Sequence, residues 1–350
     1  MKILHILNEF DNTGNGIVNV CCDLACEQSK EGHDVLVVSS GGAYINLFEK
    51  FGGRHIFLDQ SRRIGNFPKM ILSYFKIVKN FSPEIVHAHM ITGAFLGILG
   101  KFAFKYRLIS TVHNVYQKGV GIMTFSDKIV CLSPKIKDFF LEKKVHASKL
   151  VVIENGVLGS VRRIPIDKVE KKTLKHPNIV TLGAVCERKG SDILFEAFSK
   201  ISNSIPLHLY YIGNIDWPEL RNTISKSKYS NNVHFLGLKT QPLKYLLDAD
   251  IFVLPSRRET FPLSILEAKE AGLPIIASDT DGNPDALDQG KSGLLFKTND
   301  INDLTAKILS LLKNNDNIEY YKRQSKLTSS RFTVKEMSQK YVELYQSLLK

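Results

Sequence analysis

Ile251-Phe252-Val253-Leu254-Pro255-Ser256-Arg257-Arg258-Glu259-Thr260-Phe261-Pro262-Leu263-Ser264-Ile265-Leu266-Glu267-Ala268 is the stretch on which the reading of the chain turns. Its opening run is continuously apolar rather than alternating, which predicts a parallel strand covered on both faces. Pro262 suits the first turn of a helix, so Glu259 falls on the connecting loop and Glu267 inside the helix. Open α/β sheets bind ligands just beyond the carboxyl ends of such strands. The free amides of the helix start suit a phosphate or sugar oxygen. Two nearby carboxylates are each able to accept hydrogen bonds from vicinal hydroxyls. A carboxylate in an apolar helix is expensive to bury without a partner, which argues against idle packing for Glu267 and leaves a binding role or a place on the helix's polar face.

The same rhythm of apolar run, turn and helix spreads in both directions. Before the midpoint the runs are Ile3–Leu7, Val35–Ser39, His55–Leu58, Ile85–His89, Leu108–His113, Ile129–Ser133 and Val151–Glu154. After it they are Ile179–Ala184, Leu207–Gly213, Val233–Leu236, Ile251–Pro255, Ile275–Ser278 and Leu294–Phe296. Strands alternating with helices predict βαβ units and doubly wound sheets. The rhythm lapses between Ser160 and Pro177, where six cations and two prolines mark a linker. Met337, Tyr341, Leu344, Tyr345 and Leu348 fall at helical spacing and predict an amphipathic last helix.

Composition fits this picture. The 350 residues are 43% apolar and 23% charged, ordinary for a globular chain and long enough for two domains. No apolar run reaches the length of a spanning helix, and Lys2 to Leu7 is too short for a secretory signal, so a soluble cytoplasmic protein is expected. Five cysteines without C-x-x-C spacing are expected to be reduced, buried thiols rather than a zinc site or disulfides. The net charge of +12 points to an anionic partner, and no finger, aromatic repeat or arginine-rich tail favours nucleic acid.

Three further constellations carry chemistry. Asn12-Thr13-Gly14-Asn15-Gly16 forms a turn that opens a helix, either as a phosphate contact or as a structural turn. Asn19 stands where a dinucleotide fingerprint needs glycine, and Ser39-Ser40-Gly41 where it needs an acid, which disfavours nicotinamide binding. Arg188 and Lys189 sit just past the first strand of the second half, suited to phosphate oxygens. His113 ends a first-half strand, as do His87 and His89, but no matching acids accompany them to argue for a metal.

The spacing Glu259-x7-Glu267 and its surroundings resemble the retaining glycosyltransferases of family 4, with the GT-B fold. Val86-His87-Ala88-His89, Thr111-Val112-His113, Val130-Cys131-Leu132-Ser133 and Ile153-Glu154-Asn155-Gly156 resemble landmarks of the acceptor-side domain, in order. Lys189-Gly190, Ala249-Asp250, Ala271-Gly272-Leu273-Pro274 and Gly293 resemble the donor-side domain. The resemblance implies an α/β protein of two Rossmann-like doubly wound parallel-sheet domains facing across a cleft. Residues 1–160 would form the acceptor-side domain, with helix 333–350 packing back on it, and residues 161–332 the nucleotide-sugar domain.

It further implies a hexose-type sugar moved from a nucleotide-diphosphate sugar, most often a UDP-sugar, to a glycan or polyprenyl-linked acceptor in surface polysaccharide or lipopolysaccharide biosynthesis. Glu259 would contact the donor sugar, Glu267 the ribose, and Arg188 with Lys189 the diphosphate. Amides near Phe261 and Leu263 and the Gly14–Gly16 turn would add hydrogen bonds, and His113 would touch the transferred sugar. Leu238-Lys239 is the candidate base-reading loop. No cofactor and no metal is expected. Ala184 stands where the family often has arginine, leaving Arg188 to supply that charge or to face solvent. The basic stretch with Lys69, Lys76 and Lys79 beside Phe67, Ile71, Phe75 and Val78 reads either as a helix peripheral to the inner membrane surface or as an ordinary surface helix. Two other functions stay open: a nucleotide-sugar 2-epimerase of the same architecture, and a catalytically silent binding protein.

Overall fold

Each apolar run singled out in the sequence forms a strand, with ends that differ by a residue or two. The computed structural model describes residues 1–61 and 63–350. The strands are β1 (Lys2–Ile6), β2 (Asp34–Ser39), β3 (Arg54–Phe57), β4 (Ile85–Ala88), β5 (Arg107–Val112), β6 (Lys128–Cys131) and β7 (Leu150–Val152), followed by β8 (Asn178–Leu182), β9 (His208–Ile212), β10 (Val233–Gly237), β11 (Ile251–Leu254), β12 (Ile275–Ser278) and β13 (Leu294–Phe296). They make two sheets, ordered β3-β2-β1-β4-β5-β6-β7 and β10-β9-β8-β11-β12-β13. Every pairing described is parallel. Central strands such as Ile85–Ala88 and Ile251–Leu254 are buried at every position, which is why Ile251–Leu254 reads as an unbroken apolar run.

The chain divides into two units. The first holds Met1–Gly156, Ser160–Arg162 and Thr333–Lys350; the second holds Val157–Gly159 and Arg163–Phe332. In each sheet the strand order reverses beside the unit's first strand, between β1 and β4 and between β8 and β11. That reversal opens a crevice at the carboxyl ends of the strands.

The basic stretch after Ser160 does not hang free. Ser160 Oγ and the Arg162 guanidinium bind Asp23 of helix Gly16–Lys30 at 2.7 and 2.6 Å. Beyond them the chain lies along the second unit, where the amides of Ile164, Lys172 and Leu174 donate to Gln241, Lys244 and Asp248. Four cysteines are buried, Cys186 is half-buried, and all five are free thiols.

The final helix, Val334–Leu349, belongs to the first unit and buries Met337, Tyr341, Leu344 and Tyr345 there. Thr333 caps it by accepting from the Glu336 amide at 3.0 Å. Tyr341 hydrogen-bonds Thr111 at 2.9 Å and Tyr345 hydrogen-bonds His87 at 2.7 Å, so two phenols tie the helix to β4 and β5. Tyr341→Ala is expected to destabilise the protein by about 3–5 kcal/mol, the usual loss for a large buried ring. Urea unfolding followed by circular dichroism measures it; a loss below about 1 kcal/mol would contradict the docking.

Candidate active site

Three loops meet at the carboxyl edge of the second sheet, following β8, β11 and β12. The first climbs from Gly183 through a 3-10 turn, Glu187–Lys189, into helix Ser191–Ser202. Gly190 joins them at φ +65°, and a Cβ there would lie 2.0 Å from the Pro255 carbonyl oxygen. Only glycine allows the first two loops to approach so closely. The Lys189 stem runs past Gly183, whose own added Cβ would meet Lys189 Cε at 3.2 Å.

Glu259 is the centre of this arrangement. Its Oε1 forms an ion pair with the Lys189 ammonium, accepts from Ser256 Oγ at 2.9 Å and lies 3.6 Å from the half-exposed Arg188 guanidinium. Its backbone is held too, the amide donating to Asp281 Oδ2 at 2.9 Å and the carbonyl accepting from the Gly282 amide at 3.1 Å. Glu259 is only 9% exposed, so these bonds replace most of its water. Arg257 braces the loop from below through two bonds to Asp192, at 2.8 and 2.7 Å.

Helix Leu263–Glu270 follows, with Pro262 as its cap residue. Leu263 is half-buried at the helix start and Phe261 is buried against Phe332, their ring centres 6.0 Å apart. Glu267 is buried on the second turn rather than on a solvated face. Ser256, Asp281, Asp192 and Arg257 escaped the sequence reading as site residues. The turn-rich loop Asp279–Asp285 was visible there, but nothing along the chain says that Asp281 folds back onto Glu259.

The first unit gathers its own candidates at the matching edge of its sheet. Gly14, at φ +78°, and Gly16 flank Asn15, whose side chain caps helix Gly16–Lys30 by accepting from the Ile17 amide at 3.1 Å. Tyr44 pins this turn through hydroxyl contacts with the side chains of Asn12 and Asn19, at 3.0 and 2.8 Å. Asn19, standing where a dinucleotide fingerprint needs glycine, is thus engaged in holding the turn. His113 follows β5 and meets His89, which follows β4, at 3.2 Å between ring nitrogens.

Among the described residues, His5, His87 and His89 form a group that brings one ring nitrogen each within 4.8 Å of the others. All their ring nitrogens are already hydrogen-bonded, to Gln28, Thr111, Tyr345, His113 and one another, so a metal ion there would have to displace these bonds. Burial lowers each of these imidazoles, His5 to about 4 and His113 to about 3, and pushes His87 and His89 further below the ordinary value.

Residues 163–328 match the family model described as "Glycosyl transferases group 1", and residues 14–157 match "Glycosyltransferase Family 4". A Campylobacter jejuni protein, N,N'-diacetylbacillosaminyl-diphospho-undecaprenol alpha-1,3-N-acetylgalactosaminyltransferase, is 23% identical over 91% of this chain and 92% of its own. An Escherichia coli UDP-Gal:alpha-D-GlcNAc-diphosphoundecaprenol alpha-1,3-galactosyltransferase is 29% identical over 67% of each. Anabaena Alr3699/HepE, solved in complex with UDP-glucose, superposes with a TM-score of 0.83 over 99% of this chain and all of that one, at 17% identity, a likeness of fold.

The buried histidines make stability depend on pH. Below pH 6.5 an unfolded chain protonates them while the folded protein does not, so stability falls as pH drops from about 6.5 towards about 4. His5 alone is expected to cost about 2 kcal/mol between pH 7 and pH 5. Urea midpoints at the two pH values measure this, and equal midpoints would contradict it.

Proposed function

The chain belongs to the family 4 glycosyltransferases, an enzyme of two Rossmann-like domains, and from that premise we propose that it transfers a hexose-type sugar from a UDP-sugar, with retention, to a lipid-linked or glycan acceptor in surface polysaccharide biosynthesis. The observation that carries the proposal is the Lys189–Glu259 pair, braced by Ser256 and Asp281 at the carboxyl edge of β8 and β11. The relatives' donors and undecaprenyl-linked acceptors supply the substrate classes.

In this reading Lys189 and Arg188 meet the donor's diphosphate while Glu259 accepts hydrogen bonds from the sugar's hydroxyls. Glu267 takes the ribose, and amides near Phe261 and Leu263 add to the site. Breaking the anomeric C–O bond leaves negative charge on the diphosphate and positive character on the sugar ring. Fixed cations and amides favour the first, and the roles assigned to Glu259 and to the neutral ring of His113 are hydrogen bonds to the sugar. The acceptor hydroxyl attacks on the face the diphosphate leaves, and a diphosphate oxygen takes its proton. The Gly14–Gly16 turn contributes amides to the leaving group. The proposed chemistry needs no protein nucleophile and no metal, since Lys189 and Arg188 provide the positive charge.

Lys189→Ala and Glu259→Ala are each expected to lower kcat/KM for transfer by roughly 100-fold or more, the scale seen when a preorganised charge is removed. Mass spectrometry of acceptor incubated with UDP-sugars reads the product, and urea midpoints check folding. Near-normal turnover in either folded variant would overturn the assignment. Incubating the donor alone separates transfer from 2-epimerisation, and isomerised sugar would favour the epimerase.

We place the enzyme at the cytoplasmic face of the membrane. Among the described residues no helix is long and apolar enough to cross it. Helix Phe67–Phe81 turns Met70, Tyr74, Ile77 and Val78 inward and leaves Phe67, Lys69, Leu72, Lys76 and Lys79 outside. Leu72 is 70% exposed among those lysines, a pattern suited to anionic lipid headgroups. Sedimentation with phosphatidylglycerol vesicles is expected to be salt-sensitive and lost in Leu72→Asp/Lys76→Glu. Equal binding of the variant would remove this helix as the contact.

A further inference from the structure

Three imidazoles of the first unit are joined end to end behind the candidate sugar contact. His113 Nε2 lies 3.2 Å from His89 Nδ1, His89 Nε2 lies 3.0 Å from His5 Nδ1, and His5 Nε2 lies 2.8 Å from the side-chain oxygen of Gln28. His5 and Gln28 are fully buried and His89 almost so. The chemistry described above uses none of these three.

A neutral imidazole carries one N–H and one bare nitrogen. In a row of such rings each contact needs one donor and one acceptor, so the choice at one end dictates all the others. The Gln28 oxygen only accepts. His5 therefore donates from Nε2 and leaves Nδ1 bare. His89 donates to that nitrogen from Nε2 and leaves its own Nδ1 bare. His113 donates to it from Nε2, and its Nδ1 is left as an acceptor. Burial keeps the rings neutral, because each is lowered far below neutral pH.

The Gln28 nitrogen has no hydrogen-bond partner of full geometry. Tyr345 reaches His87 Nδ1 at 2.7 Å, and His87 Nε2 reaches Thr111 at 2.7 Å.

We propose that Gln28 is a positioning residue which, through His5 and His89, fixes His113 in the tautomer whose bare Nδ1 accepts a hydrogen bond from a hydroxyl of the transferred sugar. The sugar contact rests on the function proposed above; the tautomer does not. A donor deoxygenated at the hydroxyl in question loses this bond, so the row of rings also bears on which sugar is accepted.

Nitrogen-15 NMR of the full-length protein, with its histidine rings labelled, distinguishes protonated from bare ring nitrogens, and His113→Asn identifies the His113 signals. At pH 7 the expected result is a neutral His113 protonated on Nε2 and bare on Nδ1. In Gln28→Met the His113 signals are expected to report mixed tautomers. Its kcat/KM for the donor is expected to fall roughly fivefold through KM, the worth of about one neutral hydrogen bond. A wild-type His113 protonated on Nδ1, or a spectrum unchanged in Gln28→Met, would overturn the proposal. Should Gln28→Met fail to fold, the wild-type spectrum decides alone. The expected spectrum together with full turnover in His113→Asn would leave the tautomer assignment standing and withdraw the sugar contact.

Discussion

Glu259 is a carboxylate held almost out of water, and the ammonium of Lys189 is what makes that position tolerable. A buried charge without a partner costs several kcal/mol, whereas a paired and fully hydrogen-bonded one is sustainable. The rest of the second unit's edge is arranged around that condition. Gly190 lets the Lys189 loop approach Pro255, Ser256 supplies a hydroxyl, and Asp281 and Gly282 hold the Glu259 backbone from the next loop. Three loops far apart in sequence thus share one electrostatic requirement.

The two units use one topology for different chemistry. Both reverse strand order beside their first strand, and both place glycine turns and polar side chains at that edge. The second unit fills the edge with full charges, as suits a phosphate-bearing partner. The first fills it with neutral rings, hydroxyls and amides, because its histidines are too deeply buried to hold a proton. A field of fixed dipoles costs little to maintain there.

The strands were legible in the sequence because parallel sheets bury both faces, so Ile85–Ala88 and Ile251–Leu254 carry their assignment in four consecutive residues. The places of Glu259 and Lys189 just past strand ends were legible because the runs they follow were. The partners of Glu259 were not. Ser256 and Asp281 are ordinary loop residues until β11 and β12 lie side by side. The linkage of His5, His89 and His113 escaped notice for a similar reason. The three occupy or follow three neighbouring strands, and no spacing along the chain reveals that their rings align. The stretch after Ser160 read as a linker because its side chains are charged, yet its backbone amides are what fasten it to the second unit.

The closing helix has a consequence for how the molecule is made. Tyr341 and Tyr345 complete the core of a unit whose sheet ends at Val152, yet they emerge from the ribosome only after all of Arg163–Phe332. During that interval the early half carries an open apolar seam along helix Gly16–Lys30, where the last helix will pack. The order of synthesis and the order of completion are therefore reversed, and the nascent chain has reason to depend on chaperones that shield such a seam.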